Sequence, residues 1–350
     1  MKQELTPFKR VMITLKGERP DKIPFTIYED KIKSSTYERE LRNRGLCIVR
    51  RTTSYKVVYP NVKIKTVIYP QDSGNQIIKT QYVTPYGELN TVSESQGFTT
   101  WCHEHLFKTS DDYKAIKFLI KDSVIIPAYE EAQKLVSDLG EDFIVRDQIP
   151  LEPIQSIIHN FMGTETFCYE WMDNQDEIME IYQSLVEKNR KVYPVVADGP
   201  LALANYGGNV TPQIIGTVNF KKYYIPNYNE ATEILHKKGK LIGCHLDADN
   251  TTIMKEISET NLDYIEAYDA GISPPIKCAR EAWPNKVLWI NWPSSWQLED
   301  PEEITRRTVD LISEAGDGKG FIIGITEDLP EDRWACNYTA IMDGIEKTSL

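Results

Sequence analysis

The 350-residue sequence predicts an α/β fold: a single (β/α)8 TIM barrel with an antiparallel β meander inserted near the N-terminal part. Three observations lead there. Short apolar runs alternate with helical stretches along most of the chain, the pattern of a parallel sheet covered by helices. Eight such runs are found, and eight strand–helix units over this length close a barrel. Between residues 54 and 97 the alternation gives way to β-type runs without helical period. An open doubly wound sheet is the alternative, but no G-x-G-x-x-G or Walker A sequence supports a nucleotide-binding version of it. The expected organisation is one domain, 1–350, with 54–97 as an excursion.

The elements follow in order. Thr6 is an N-cap, Pro7 sits at the first helical position, and "FKRVMITLKG" is a short helix closed by Gly17. "RPDKIPF" turns into the first strand, 23–28. "STYERELRNRG" is a polar helix ending at Gly45, and "LCIVRR" is the second strand, 46–51. The runs "YKVVY", "VKIKTVIY", "NQIIKTQYVT" and "ELNTVSE", separated by Pro, Asn, Asp, Ser and Gly, make the meander. The segment 125–140 reads as a helix, followed by strands at 142–147, 201–206, 240–246, 262–267, 286–291 and 319–325. Helical runs stand between them, one with a break expected at Pro226, and "DRWACNYTAIMDGIEK" closes the chain.

Composition narrows the function. A net charge of -12 argues against a nucleic-acid surface. No apolar run reaches the roughly 18 residues of a membrane span, and the start of the sequence lacks the apolar stretch of a secretory signal. The six cysteines are scattered, with no C-x-x-C pair, which fits a reducing cytoplasm.

In such barrels chemistry sits at the C-terminal ends of the strands. There the sequence places Tyr28, Asp147, Tyr206, His245 with Asp247, Glu266, Asn291 with Trp292, and Glu327. His245 and Asp247 are two apart and share a face of a strand. A carboxylate beside an imidazole orients it as a base, or joins it, with Glu327 or Glu266, in holding zinc. A buried hydrogen-bonded pair is the plainer reading. Asp247, Glu266 and Glu327 are the candidate catalytic acids; His245 and Asp247, with Glu327 or Glu266, are the candidate metal ligands. Tyr28, Trp101, Asp147, Tyr206, Asn291 and Trp292 are candidate substrate-binding residues, and ordinary core or rim packing is the plainer reading of any one of the aromatics. "HEH" at His103–His105 reads as structural or substrate-lining, with metal binding the lesser alternative, and Cys244 and Cys336 read as packing. No Ser/His/Asp or Cys/His nucleophile arrangement is apparent.

The stretches "LTPFKRVMITLKGERPDKIPF", "TPYGEL", "FKKYYIPNYNEATEILHKKGKLIGCHLDAD" and "GFIIGITEDLPEDRWACN" together resemble the uroporphyrinogen decarboxylase superfamily, over nearly the whole chain. The resemblance implies a (β/α)8 barrel and one of two chemistries. The decarboxylases read porphyrinogen carboxylates with an arginine-rich stretch of the form "RQAGR", where this chain has "YEDKIKSS". The other branch contains corrinoid-dependent methyltransferases. Its thiol-methylating members hold zinc with H-x-C and a later Cys. Here those positions are His245-Leu246-Asp247 and Glu327, so both thiolates have become carboxylates. That exchange moves the site from sulfur toward oxygen chemistry. It implies the methyltransferase component of an O-demethylase, which takes the methyl group of a methoxylated aromatic compound to the cobalt(I) of a corrinoid carried by a separate protein. Zinc is the expected cofactor, and a homodimer is what the resemblance suggests. A decarboxylase or lyase of the superfamily, or a methylcobamide:thiol methyltransferase of the coenzyme M type, are the alternatives.

Overall fold

The structure is a computed structural model and describes residues 4–96, 99–330 and 332–348. In chain order its strands are β1 (Phe25–Tyr28), β2 (Leu46–Thr52), β3 (Tyr55–Val58), β4 (Lys63–Pro70), β5 (Gln76–Thr84), β6 (Gly87–Gln96), β7 (Thr99–Glu104), β8 (Val124–Pro127), β9 (Phe143–Leu151), β10 (Leu203–Gly207), β11 (Leu241–His245), β12 (Tyr264–Asp269), β13 (Val287–Asn291) and β14 (Phe321–Ile325). The chain divides into two compact units. One comprises the residues up to Ser54, Tyr129–Gln148 and everything from Ala197; the other comprises Tyr55–Ala128 and Ile149–Val196.

A closed eight-stranded barrel runs in the order β1-β14-β13-β12-β11-β10-β9-β2 and closes through parallel pairing of β1 with β2. It is the predicted (β/α)8 barrel, strand for strand, with ends moved by at most two residues except in β9, which continues to Leu151. The strands form because their runs are apolar on both faces: one face fills the barrel and the other meets the helices. Cys47, Val49, Ile144, Leu203, Tyr264, Val287, Trp289 and Ile322 pack as one buried cluster, and Val11 and Leu15 of the opening helix Pro7–Leu15 join it. That helix starts as read: the Thr6 hydroxyl accepts from the Lys9 amide at 3.4 Å. The polar groups inside the cluster are satisfied, with the Trp289 indole donating to Thr26 Oγ1 at 2.8 Å and the Tyr264 hydroxyl to the Ala204 carbonyl at 2.6 Å.

One irregularity matters for the site. Pairing of β12 with β13 slips between Glu266 and Tyr268, and Ala267 sits at φ 61°, a left-handed conformation that costs a residue with a Cβ. The extra residue lets Asp269 pair with Asn291, so the strand continues in register after re-aiming its end.

In the other unit β4-β5-β6-β7 form a four-stranded antiparallel sheet, and β3 pairs with β8. The meander is thus present but arranged differently. "YKVVY" leaves it to pair with Val124–Pro127, where the sequence predicts the start of the 125–140 helix; that helix begins at Tyr129. Thr99–Glu104 adds a strand at the far edge, and Gly97, where the meander was expected to end, lies outside the described residues. The segment "EHLFKTSDDY" leads into a helix, Asp112–Lys121, as its sequence reads, whereas the helix Thr164–Asp173 has no counterpart in the sequence reading. The break expected at Pro226 occurs earlier, at Gly216 with φ 67° and in a π-helical turn over Phe220–Tyr224. Pro226 instead occupies the first turn of the next helix, where its missing N–H costs nothing.

Candidate active site

The C-terminal end of β11 presents His245, and the neighbouring strands supply a buried network beneath it. The Glu266 carboxylate, fully buried, receives the Tyr28 hydroxyl at 2.7 Å and lies 3.2 Å from His245 Nδ1. Its other oxygen pairs with the equally buried Arg146 guanidinium. Arg146 also donates to the Tyr28 oxygen at 3.2 Å, and that oxygen stands 3.1 Å from His245 Nδ1. Burial works against charge on Glu266, but Arg146, His245 and the Tyr28 hydroxyl outweigh it and hold the carboxyl at about 2. Burial likewise opposes the Arg146 cation, and the Glu266 charge more than offsets it, so the guanidinium stays protonated.

The network fixes the imidazole through Nδ1 and turns Nε2 toward the open end. There it meets Asp247 Oδ2 at 3.6 Å and Glu327 Oε1 at 4.0 Å. Burial disfavours the imidazolium, but the hydrogen bonds and charges of Asp247 and Glu266 raise its pKa to about 9. Burial opposes the Asp247 charge, yet its contact with His245 keeps the carboxyl below the ordinary range. Glu327 goes the other way, raised by burial and by the Asp247 carboxylate despite His245.

His245, Asp247 and Glu327 each offer one ligand atom, and the three lie within 4.8 Å of one another, the one such group among the described residues. Zinc bonds of about 2.0–2.2 Å set neighbouring ligand atoms about 3.4 Å apart in a tetrahedron. His245 Nε2 stands 3.6 Å from Asp247 and 4.0 Å from Glu327, whose side chain is half-exposed, so one nitrogen and two carboxylates near that spacing fit a divalent ion of the hard-to-borderline class. Glu266 stays outside the group of three. It stands where a carboxylate behind a metal-binding histidine stands, orienting the ring and fixing the proton on Nδ1.

Two backbone features hold this arrangement. A Cβ at Gly208 would lie 1.9 Å from the His245 carbonyl oxygen, so only glycine lets the end of β10 run so close to the histidine. Asn291 Oδ1 accepts the Thr326 amide at 2.9 Å and ties down the segment that carries Glu327.

The other residues singled out from the sequence make different contacts. Tyr28 is buried as the hydroxyl donor just described, so its ring is not an open wall; the Arg51 guanidinium covers it at 4.1 Å from the ring centre. Asp147 follows Arg146 on β9 and, by alternation, faces the other side, where it receives the Ser54 hydroxyl and, at 3.0 Å, the Ser54 amide. Tyr206 packs edge-on against Tyr228 of the helix Ile225–His236, with centroids 4.9 Å apart. Trp292 packs against Trp296 at 5.6 Å. Trp101 is 67% exposed on β7, in the other unit. Arg146, which is not among the residues singled out from the sequence, is central. The signal for it was parity: it is an interior-facing cation two residues after buried Ile144. The acids of "YEDK" are spent on neighbours, Glu29 and Asp30 on Arg51 at 3.2 and 2.7 Å, while Lys31 pairs with Asp328 at 2.6 Å.

No protein-family model matches the chain, and no curated protein sequence does. Among solved structures, a methyltransferase from Methanosarcina mazei aligns over 98% of this chain and 99% of its own, with a TM-score of 0.59 and 9% identity. A B12-independent methionine synthase from Shewanella sp. W3-18-1 aligns over 89% and 85%, with a TM-score of 0.44 and 10% identity. At such identity the first likeness is one of fold: the chain shares the whole barrel architecture of that methyltransferase. No helix among the described residues is long and apolar enough to cross a membrane.

Proposed function

We propose that this chain is a methyltransferase that takes the methyl group of an aryl methyl ether and hands it to the cobalt(I) of a corrinoid protein, releasing a phenol. The observation that carries the reading is the convergence of one imidazole nitrogen and two carboxylates, with no thiolate among them, at the C-terminal ends of β11 and β14. His245, Asp247 and Glu327 are the residues that would hold zinc. Bound there, the ion supplies Lewis-acid stabilisation to the leaving oxygen. The chain's own part is positional and electrostatic. Glu266 and Tyr28 hold the His245 ring, Arg146 holds Glu266, and the acids face the place where phenolate charge develops. The fold likeness to a protein named as a methyltransferase is consistent with this reading. So is the neutralisation of Arg51 by Glu29 and Asp30, which leaves that position without a free handle for a poly-carboxylate substrate. Exposed Val218, Ile272 and Leu298, on segments that follow the C-terminal ends of β10, β12 and β13, suit an apolar docking rim for the corrinoid protein.

A second reading needs no metal. An imidazolium held near pKa 9 is itself a proton donor, and His245 Nε2 faces outward to deliver the proton to the leaving oxygen. Metal analysis of the purified protein separates the two: stoichiometric zinc supports the first.

The reaction is tested by anaerobic incubation with methoxylated aromatics and a reduced corrinoid protein, following methyl-cobalt formation by absorbance. Asp247→Asn and Glu327→Gln should lower kcat far more than they raise KM, because the leaving-group charge exists only in the transition state. No methyl-cobalt with any methoxylated aromatic, together with release of carbon dioxide from a carboxylated substrate, would replace the proposal with the decarboxylase alternative.

A further inference from the structure

The opposite end of the barrel, where the strands begin, carries a second concavity unrelated to the chemistry above. It is a cavity of about 670 Å3 whose wall includes Lys16, Arg280, Lys286 and Lys319 against two acids, Asp263 and Asp317. The acids are largely committed. Asp263 accepts from His236 Nε2 at 2.9 Å and from the Ile242 amide at 2.7 Å. Asp317 accepts the Lys319 amide at 3.1 Å and stands 3.8 Å from its ammonium.

The cations are not matched in turn. Arg280 is half-buried and donates to the Gly320 carbonyl at 3.1 Å, yet no carboxylate lies within ion-pair distance of it among the described residues. Lys286 is buried and donates to the carbonyls of Thr260 and Leu262 at 2.6 and 3.0 Å, again without a carboxylate in ion-pair distance. Lys16 stands exposed at the rim with no ion-pair partner among the described residues. Burial disfavours both cations, and the charges of Asp263 on Lys286 and of Asp317 on Arg280 offset that only in part; an anion seated here would offset more of it. In the loop before β14, "GDGKG", Gly316, Gly318 and Gly320 all have positive φ (90°, 77° and 57°), Lys319 precedes the Gly320 whose carbonyl Arg280 holds, and a Cβ on Gly320 would press on Arg280. The whole chain carries a net charge of -12, so anions are repelled in general and this concentration of positive charge is a local exception.

We propose that this pocket is a binding site for a small phosphate-bearing anion, held by the Arg280 fork and the ammonium groups of Lys16, Lys286 and Lys319. A guanidinium fork suits the paired oxygens of a phosphate, and flanking lysines add point charges. The volume is that of a small-molecule site. Leu241, Val287 and Gly320 in its wall stand at or beside the starts of β11, β13 and β14, whose other ends carry His245, Asn291 and the segment leading to Glu327. An occupied pocket would therefore brace the strands that carry the candidate active site. The inference does not depend on the proposed reaction.

The test is calorimetric titration of the full chain with pyrophosphate at constant ionic strength set by sodium chloride, alongside the thermal midpoint. Saturable binding with a raised midpoint is expected. Lys319→Gln and Lys16→Gln, both at the rim, should each weaken it by about fivefold, as removal of an exposed charge contact does. Arg280→Gln should weaken it by about tenfold or more, because a bidentate charge-assisted contact is lost. Since Arg280 also holds the Gly320 carbonyl, the rim variants keep the test decisive if Arg280→Gln fails to fold. Absence of saturable pyrophosphate binding, or binding that both lysine variants leave unchanged, overturns the proposal.

Discussion

Glu266→Gln removes one charge and almost no volume, and the structure fixes what should follow. The carboxylate is fully buried and answers the buried Arg146, whose guanidinium cannot shed its proton. Deleting one member of such a pair costs about 3–5 kcal/mol, because the other charge stays buried and unanswered. The direction of the Glu266 pKa agrees: the carboxyl is held at about 2, below its ordinary 4.5, so the ionised form favours the folded state at neutral pH. The sign follows from the depressed pKa. The contribution is complete above 4.5 and fades as the pH falls through about 2. Urea unfolding at pH 7 should therefore show the variant about 3 kcal/mol less stable, with the gap narrowing as the pH drops from 5 toward 3. Arg146→Leu combined with Glu266→Leu should recover most of the loss, since an apolar pair replaces the ionic one. It should still leave His245 Nδ1 without its carboxylate, with only the Tyr28 hydroxyl beside it, and metal binding weakened. A gap below about 1 kcal/mol at pH 7, or one that does not change with pH, would refute the claim that the Arg146–Glu266 pair is the electrostatic support of the site.

The remaining expectations concern the histidine and the backbone around it. His245→Ala should abolish stoichiometric zinc binding, measured by dialysis and elemental analysis, while the barrel keeps its circular dichroism. Because the imidazole is raised to about 9, an ion must displace its proton below that pH; zinc affinity should rise about tenfold per pH unit from 6 to 8 and level off beyond 9, as competition titrations would show. Gly208→Ala places a methyl on the His245 carbonyl and should weaken zinc by about tenfold or more, the usual size of an effect on ligand support. At Ala267, held at positive φ, Val should cost about 2 kcal/mol in urea unfolding while Gly stays within about 0.5 kcal/mol.

The barrel was readable because its signals are local. Each strand is a short apolar run bounded by a turn, and "FIIGI" or "VLWIN" needs no partner to be recognised. What escaped was pairing at a distance. Val124–Pro127 looks like the approach to a helix until Tyr55–Val58 is seen beside it. The site divides in the same way. His245 and Asp247 declare themselves by their spacing on one strand. The role of Glu266 depends on Arg146 and Tyr28, at sequence separations of 120 and 238 residues. Tyr206 and Asp147 were placed by nearness to a strand end alone, and it is the alternation of faces, set by which neighbour fills the barrel, that turns them toward Tyr228 and Ser54.

Pairing of β1 with β14 joins Phe25 to Ile323, and this has a consequence for biosynthesis. On the ribosome the first barrel strand waits for the next 297 residues, the separation of Thr26 and Ile323, before its second neighbour exists. Until then Thr26 lacks the Ile323 carbonyl to which its hydroxyl donates at 3.2 Å. Contacts of such long sequence separation slow folding. A nascent chain halted before β14 would hold the histidine and Asp247 but neither Glu327 nor a closed wall, so metal capture should be a late event, completed only after the final strand leaves the exit tunnel.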